Sequence, residues 1–386
     1  MSFYLLPSNC NILSNNNISF THVKDLDNID IYINKSLHNY INYAKKQIDI
    51  YYSEWDLYKK YTNPYEYIHS IIPQYKTSVS KLKPLSRSFF KLIEIFNLLD
   101  ILNDITIPNI TSFHLAEGPG GFIEALSWLR NNTNDIYYGM TLINDVDVNI
   151  PGWKKSQYFL NKNQNVKIEY GINKNGDLSD VENLKFCYEK YNNSIDIITG
   201  DGGFDFSVDF NKQEILSTKL ILYQICFAIS MQKEGGVFIL KFFDLFTEAS
   251  IDLIYLLSLC YEKIYIIKPF SSRYANSEKY IVCKKFKFIN VKSILDKIIL
   301  NYSEINNNEN FLKRILNIDI PHFFLNRLEE CNAIIGQQQI ENIISTINLI
   351  NNNSKEEKLE IIKNNNIQKC IQWCIKYKIP YYKNYI

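Results

Sequence analysis

The 386-residue chain has no excess of either charge: 42 Lys and Arg face 41 Asp and Glu, leaving a formal net charge of +1. Such a balance cannot hold a nucleic acid through bulk charge, so any polyanion must meet a local patch of cations. A CxxC pair is also missing. The eight cysteines (Cys10, Cys187, Cys226, Cys260, Cys283, Cys331, Cys370 and Cys374) are scattered. That supports neither a disulfide framework nor a structural zinc site, and suits reduced thiols in a reducing compartment. Long hydrophobic runs are absent too. The most apolar helical run, 220–231, is too short to span a bilayer and carries Gln224. The first residues, MSFYLLPSNCNILSNNN, have neither the basic region nor the apolar core of a secretion signal. A soluble, intracellular protein is expected.

What is present is ordinary in proportion. Hydrophobic residues at 46% and charged residues at 22% exclude a disordered or fibrous chain. The length suits one large domain with an appendage, or two modest domains. Asn, Ile, Lys and Tyr are abundant. Their shared A/T-rich codons point to an A/T-rich genome, such as that of a large DNA virus or an A/T-rich eukaryote. Asn-rich stretches at 306–309 and 351–354 then read as loops.

Residues 1–35 carry no regular pattern. A Tyr-dense helix is predicted from about 36 to 62, ending at Asn63-Pro64. Another follows Pro84, with Ser86 as its cap and Phe89, Ile93, Phe96 and Leu99 or Leu102 on its apolar stripe. Between 110 and 290, short apolar runs alternate with amphipathic stretches. This is the pattern of βαβ units in a mostly parallel sheet covered on both faces. The last two strands, in KIYIIKPF and YIVCKKFKF, are joined by a loop and expected to pair antiparallel at the end of the sheet. After about 300 the pattern turns helical, with FLKRILNI, ENIISTINLI and CIQWCIKY as main segments. The expected division is a helical N-terminal flank (1–84), an α/β domain (85–290) and a helical C-terminal extension (291–386).

Four features fall where an open α/β sheet holds its ligand, at the carboxyl ends of strands. Glu117-Gly118-Pro119-Gly120-Gly121-Phe122 closes the first strand and opens a helix, so a ligand can approach the backbone and face helix N–H groups. This is not a GxGxxG fingerprint with a downstream acid, and the chain has no GK[ST], so neither a dinucleotide nor a P-loop is indicated. Asp201, between glycines at another strand end, is a functional acid or a solvated turn residue. Lys241 follows a buried strand and is costly to bury unless paired or functional, although a lysine can also snorkel from such a position. The loop from Lys268 to Glu278 gathers Arg273, Asn276 and Glu278. By sequence alone it is equally an ordinary exposed hairpin loop.

Six segments, SRSFFKLIEI, FHLAEGPGGF, NGDLSD, IDIITGDGGFDFS, GGVFILKFFD and KPFSSRYANSEKYIVCK, occur in this order over roughly 86–284. Together they resemble the FtsJ-like (RrmJ-type) ribose 2′-O-methyltransferases, nearest the branch that methylates the first transcribed nucleotide of capped mRNA. The resemblance implies a Rossmann-like methyltransferase domain over 85–290 that uses S-adenosylmethionine (SAM). It also implies a tetrad of Lys91, Asp201, Lys241 and Glu278. SAM is expected against Glu117, Gly118, Pro119, Gly120, Gly121 and Phe122, with Asp177 and Leu178 near its adenine and Asp201 also in contact. His114 stands where many relatives carry an acid, and Glu117 appears inside the turn instead. Beside the cleft, Arg87, Arg273 and Asn276 become candidates for RNA contacts. The many Tyr and Phe become candidates for stacking on a cap or on exposed bases.

The implied substrate is the capped mRNA 5′ end, with other capping or transcription proteins as partners and no membrane or metal. The implied location is the cytoplasm (a viral factory or virion for a viral source) or the nucleus. Two alternatives stand beside this reading: a ribosomal or transfer RNA ribose methyltransferase, and a cap- or RNA-binding subunit with a vestigial site.

The chemistry suits these residue types. Transfer to a ribose 2′-hydroxyl requires loss of the hydroxyl proton as oxygen attacks a methyl on a positive sulfur. Lysine, with an ordinary pKa of about 10.4, is a poor base at neutral pH. Burial and a second ammonium lower that value, while carboxylates raise it. A Lys-Asp-Lys-Glu cluster is therefore a tunable base, workable once a lysine falls toward about 7–8. Lys241 is the expected base, with Lys91 lowering its pKa and orienting the ribose, and Asp201 and Glu278 holding the ammonium groups. For Lys91 the plain alternative is a surface pair with Glu94, three residues on, worth about 0.2–0.5 kcal/mol.

Overall fold

The apolar runs between 110 and 290 form strands covered on both faces, as their lack of alternation requires. The computed structural model describes residues 2–144, 150–203, 210–287, 289–352 and 356–383. Its first elements are β1 (Ser2–Leu5), β2 (Ile18–Val23), α1 (Lys35–Ile50) and α2 (Tyr52–Thr62). Next come α3 (Ser88–Leu98), α4 (Ile101–Asp104), β3 (Thr111–Leu115), α5 (Gly121–Arg130) and β4 (Ile136–Met140). The chain continues through α6 (Gln157–Lys162), β5 (Val166–Ile168), α7 (Val181–Tyr191), β6 (Ile195–Gly200) and α8 (Gln213–Met231). Then follow β7 (Gln232–Phe242), α9 (Glu248–Cys260), β8 (Tyr261–Lys268) and β9 (Lys279–Phe286). The last elements are α10 (Val291–Leu300), α11 (Tyr302–Asn306), β10 (Phe311–Leu316), α12 (His322–Asn351) and α13 (Glu356–Lys376).

Eight strands form one sheet in the order β1-β8-β9-β7-β6-β3-β4-β5. The five from β5 to β7 are parallel, so the fold is the mostly parallel, Rossmann-like α/β class that the alternating pattern implied. β8 and β9 do pair antiparallel, but not at the sheet's end. β9 lies between β7 and β8, antiparallel to both, and β1 forms the edge. Pattern alone cannot reveal this, because an inner antiparallel strand is as uniformly apolar as a parallel one.

Three other expectations are corrected. Residues 1–35 are not wholly irregular, since β1 and β2 lie within them. The helix expected over 36–62 is two helices that meet at Tyr51, the second ending at Thr62 just before Asn63-Pro64. FLKRILNI is not helical. It forms β10, paired antiparallel with β2, and register shifts on either side of Arg314 interrupt the ladder. Those shifts bury Leu312, Ile315 and Leu316 together, at the i, i+3, i+4 spacing of a helix.

The remaining C-terminal segments are helical, and α12 and α13 pack back onto the start of the chain. α12 lies against α1 and α2, and α13 against the turn at Glu66–Ile68. The Lys81 N–H donates to the Pro380 carbonyl at 2.8 Å, and the Phe90 and Trp373 rings sit 5.8 Å apart. α8 is long and apolar enough to cross a membrane by composition. Its Ile221–Met231 stretch is buried throughout, between the sheet and neighbouring helices, and that packing accounts for its composition. The Asn-rich stretches are not loops throughout: Asn306 ends α11 and Asn351 ends α12, 307–309 follow α11 as a turn, and 353–354 lie outside the described residues.

Candidate active site

Strand β3 delivers the chain into the glycine turn. Ala116 and Gly120 adopt positive φ of 50° and 106°. A Cβ on Gly118 would stand 2.5 Å from the Gly152 carbonyl oxygen, so only glycine fits there. Buried Glu117 accepts the Phe122 N–H through Oε1, which fixes the start of α5. Its Oε2 is buried with no hydrogen-bond partner among the described residues. Burial, and then the Asp201 charge, push this carboxyl well above the usual carboxylate range. A cationic ligand group in the glycine cradle beside this unpaired carboxyl oxygen would favour its ionised form.

His114, three residues earlier in β3, plays no part in this. It is buried between the Ser112 and Thr199 hydroxyls, each at 2.8 Å, and burial pulls it down to about 3, so it is a neutral core residue.

The turn opens on a cavity of about 1060 Å³, whose lining includes Glu117, Gly118, Pro119, Asp177 and Leu178. Gly120, Gly121 and Phe122 shape the turn behind that wall, and the Phe122 ring packs 5.8 Å from that of Tyr280.

Lys91, Asp201, Lys241 and Glu278 line the same cavity. In α3, Ser86 stands one residue outside the cap position, yet its Oγ accepts the Ser88 N–H at 3.3 Å. Every residue from Ser88 to Phe96 is buried, so Lys91 and Glu94 have no surface on which to pair. Glu94 instead accepts the Phe270 and Ser271 N–H groups at 2.7 and 2.8 Å. The Lys91 ammonium meets both oxygens of Glu278, at 2.7 and 2.8 Å. The Lys241 ammonium lies 3.3 Å from the Asp201 carboxylate. Burial lowers the Lys91 pKa, although Glu278 opposes it. Burial alone would raise Glu278, but the charges of Lys91, Arg87, Lys241 and Lys268 hold it far below the usual range.

The register explains the meeting. β9 runs opposite to β7, so Tyr280 faces Lys241 across the ladder and the start of β9 sits at the end of β7. The DGG turn after β6 is steadied by the Gly202 N–H, which donates to Gln224 at 3.1 Å. The last four residues of IDIITGDGGFDFS, 204–207, lie outside the described residues.

Sequence reasoning passed over three contributors. The Tyr280 hydroxyl donates to Asp201 at 3.0 Å while the Lys91 ammonium lies 5.8 Å from its ring, so Tyr280 joins the two ion pairs. Ser272 donates to Glu278 at 2.7 Å. Buried Lys268 donates to the Glu278 carbonyl at 2.6 Å and to Asn276, and burial pulls it down to about 7. Lys268 also ends an apolar strand, the signal that singled out Lys241.

Of the three residues considered for RNA contact, Arg87 lines the cavity. The Asn276 side-chain oxygen receives Lys268, and Arg273 grips both oxygens of buried Glu66, at 2.6 and 2.9 Å. Burial would raise Glu66, but Arg273 outweighs it and holds the carboxyl at about 2. A depressed folded value means the stabilisation is present above the ordinary carboxylate pKa and lost as pH falls toward 2. Arg273→Ala should therefore cost about 3 kcal/mol at neutral pH. In urea unfolding, its gap from wild type should narrow as the pH falls below about 4.5. A gap independent of pH would refute this account.

The FtsJ-like methyltransferase family model matches residues 84–286. Curated relatives include the cap-specific mRNA (nucleoside-2′-O-)-methyltransferase 1A of Caenorhabditis briggsae. It is 34% identical over 236 residues, covering 58% of this chain and 26% of that protein. The human cap-specific mRNA (nucleoside-2′-O-)-methyltransferase 1 is 33% identical over 213 residues, covering 53% of this chain and 25% of that protein. The chain thus spans about a quarter of the length of these relatives. Among solved structures, one of a putative ribosomal RNA methyltransferase from Plasmodium falciparum is 21% identical with a TM-score of 0.37, covering 52% of this chain and 98% of that one.

Proposed function

The chain belongs to the FtsJ-like methyltransferase family, and on that premise we propose that it transfers a methyl group from SAM to the ribose 2′-hydroxyl of the first transcribed nucleotide of capped mRNA. One observation carries the chemical part: two ion pairs, Lys91–Glu278 and Lys241–Asp201, share a cavity with a glycine turn that holds an unpaired carboxylate oxygen. The relatives named as cap-specific support the choice of RNA.

The residues present fit the cofactor. Glu117 Oε2 would take its cationic amino-acid end, Gly118 and Pro119 would allow close approach, and Asp177 and Leu178 would form part of the wall. When bound, SAM supplies an electrophilic methyl on a positive sulfur. Acting as base, the Lys241 nitrogen would accept the 2′-hydroxyl proton: the O–H bond breaks as the O–C bond forms, and the methyl–sulfur bond breaks with its electron pair returning to sulfur, leaving a neutral thioether. Asp201, held by Tyr280, keeps that nitrogen in place and steadies the ammonium once formed. Lys91, fixed by both oxygens of Glu278, donates to the ribose oxygen and sets its line of attack. Such alignment contributes a large part of the rate. Arg87 offers a cation to the 5′ phosphates.

The test is transfer of labelled methyl to matched RNAs bearing a cap-0 end, an unmethylated guanosine cap or no cap, followed by nuclease mapping of the product. Transfer to the capped RNAs should exceed that to uncapped RNA by about tenfold or more. Equal transfer would overturn the cap assignment and favour a ribosomal or transfer RNA substrate. Cofactor binding without transfer to any RNA would favour the binding-subunit reading.

A further inference from the structure

The wall formed by Asp177 and Leu178 is held from outside the family's own span. Buried Tyr302, at the start of α11, donates its hydroxyl to the Leu178 carbonyl at 2.9 Å. Asn306, at the other end of α11, donates its amide to the Ser179 carbonyl at 3.3 Å. Tyr223 of α8 ties the two together: its hydroxyl donates to Asn306 at 3.2 Å, and its ring lies 5.5 Å from that of Tyr302. On the other side, Asn183 of α7 donates to the Asp177 carbonyl at 2.9 Å. The loop is thus gripped from two directions, and α11 lies beyond residues 84–286.

The grip has a purpose because there is room to retreat. A second cavity of about 530 Å³ lies behind the loop, lined by Asp177, Ser179, Tyr302 and Asn306 among others. The loop borders both spaces, and on the side of the second one α11 holds its backbone through Tyr302 and Asn306. We propose that α11 is a clamp for the cofactor wall, with Tyr302 and Asn306 as positioning residues that hold Leu178 and Ser179 so that Asp177 and Leu178 stay against the bound cofactor. The proposal rests on reading the larger cavity as the SAM site.

Calorimetry of SAM binding to the full chain tests it, with Tyr302→Phe, Asn306→Ala, the double variant and Asp177→Ala. Tyr302→Phe keeps the ring and its packing, and should weaken binding about fivefold. The double variant should lose about twentyfold, with stoichiometry near one. Michaelis constants for SAM should rise in parallel, while kcat at saturating SAM stays within about twofold. An unchanged dissociation constant in the double variant would overturn the clamp. So would a fall in stoichiometry at constant affinity, which marks a merely structural loss. If the wild type fails to bind SAM, or if Asp177→Ala binds as tightly as wild type, the cofactor site itself is misassigned, and the clamp falls with it.

Discussion

Lys241→Ala should lower methyl transfer by about 10²–10⁴-fold at saturating SAM and saturating RNA, the range expected for loss of a positioned base. The protein should remain folded. Lys241 stands at the end of β7 facing the cavity, and its partner Asp201 keeps the Tyr280 hydroxyl. Cofactor affinity should change little, because the glycine turn and Glu117 are untouched. The loss should therefore appear in kcat rather than in the Michaelis constant for SAM. Lys241→Arg is the sharper control: it preserves the charge beside Asp201 but cannot give up its proton near neutrality. Single-turnover transfer should find both variants comparably slow. A near-wild-type rate for either would remove Lys241 from the role of base.

The second large effect is on stability. Lys91→Met leaves the Glu278 carboxylate buried without its ammonium partner, and breaking such a pair from one side costs about 3–5 kcal/mol. Ser272 and the nearby Lys268 soften the loss, so the lower end, about 3 kcal/mol, is expected in equilibrium urea unfolding. Adding Glu278→Gln should restore most of the stability while leaving the enzyme inactive. Recovered stability together with recovered transfer would show that the pair is structural rather than functional. Equal stability of Lys91→Met and wild type would show that the ion pair contributes little.

Much of this arrangement was legible in the residues. The parallel sheet announced itself through uninterrupted apolar strands between helices, and Asp201 and Lys241 through polar side chains at strand ends. Lys91 was different. Its neighbour Glu94 offered an adequate surface partner at helical spacing, and only the burial of α3 on all sides, with Glu94 spent on the 270–271 backbone, frees Lys91 for Glu278. The Glu278 loop looked like an exposed hairpin, yet Ser271, Ser272, Ser277 and Glu278 are buried. Short polar residues in a loop read as solvated until something covers them, and here the N-terminal helices and α12 do so, as when Gln339 donates to the Ala275 carbonyl at 2.9 Å. β10 reads as helical for a local reason: its apolar residues stand at a helix-like spacing, which register shifts in the ladder accommodate. The helical pattern after about 300 covers α11, but its hold on the 178–179 backbone is not legible, because hydrogen bonds to backbone carbonyls carry no residue-type signal.

The insertion of β9 between β7 and β8 also sets an order of events during synthesis. Asp201 and Lys241 leave the ribosome with β6 and β7, and β8 follows, yet the place between β7 and β8 in the folded sheet belongs to a strand not yet made. Until residue 286 emerges, both strands keep an open edge, the kind of edge that invites pairing with another chain. Lys91, made long before, has no carboxylate to meet until the 269–278 hairpin turns back. Closing the sheet and completing the cleft therefore both depend on residues 269–286, and a chain that lacks them leaves two strand edges open and Lys91 without Glu278.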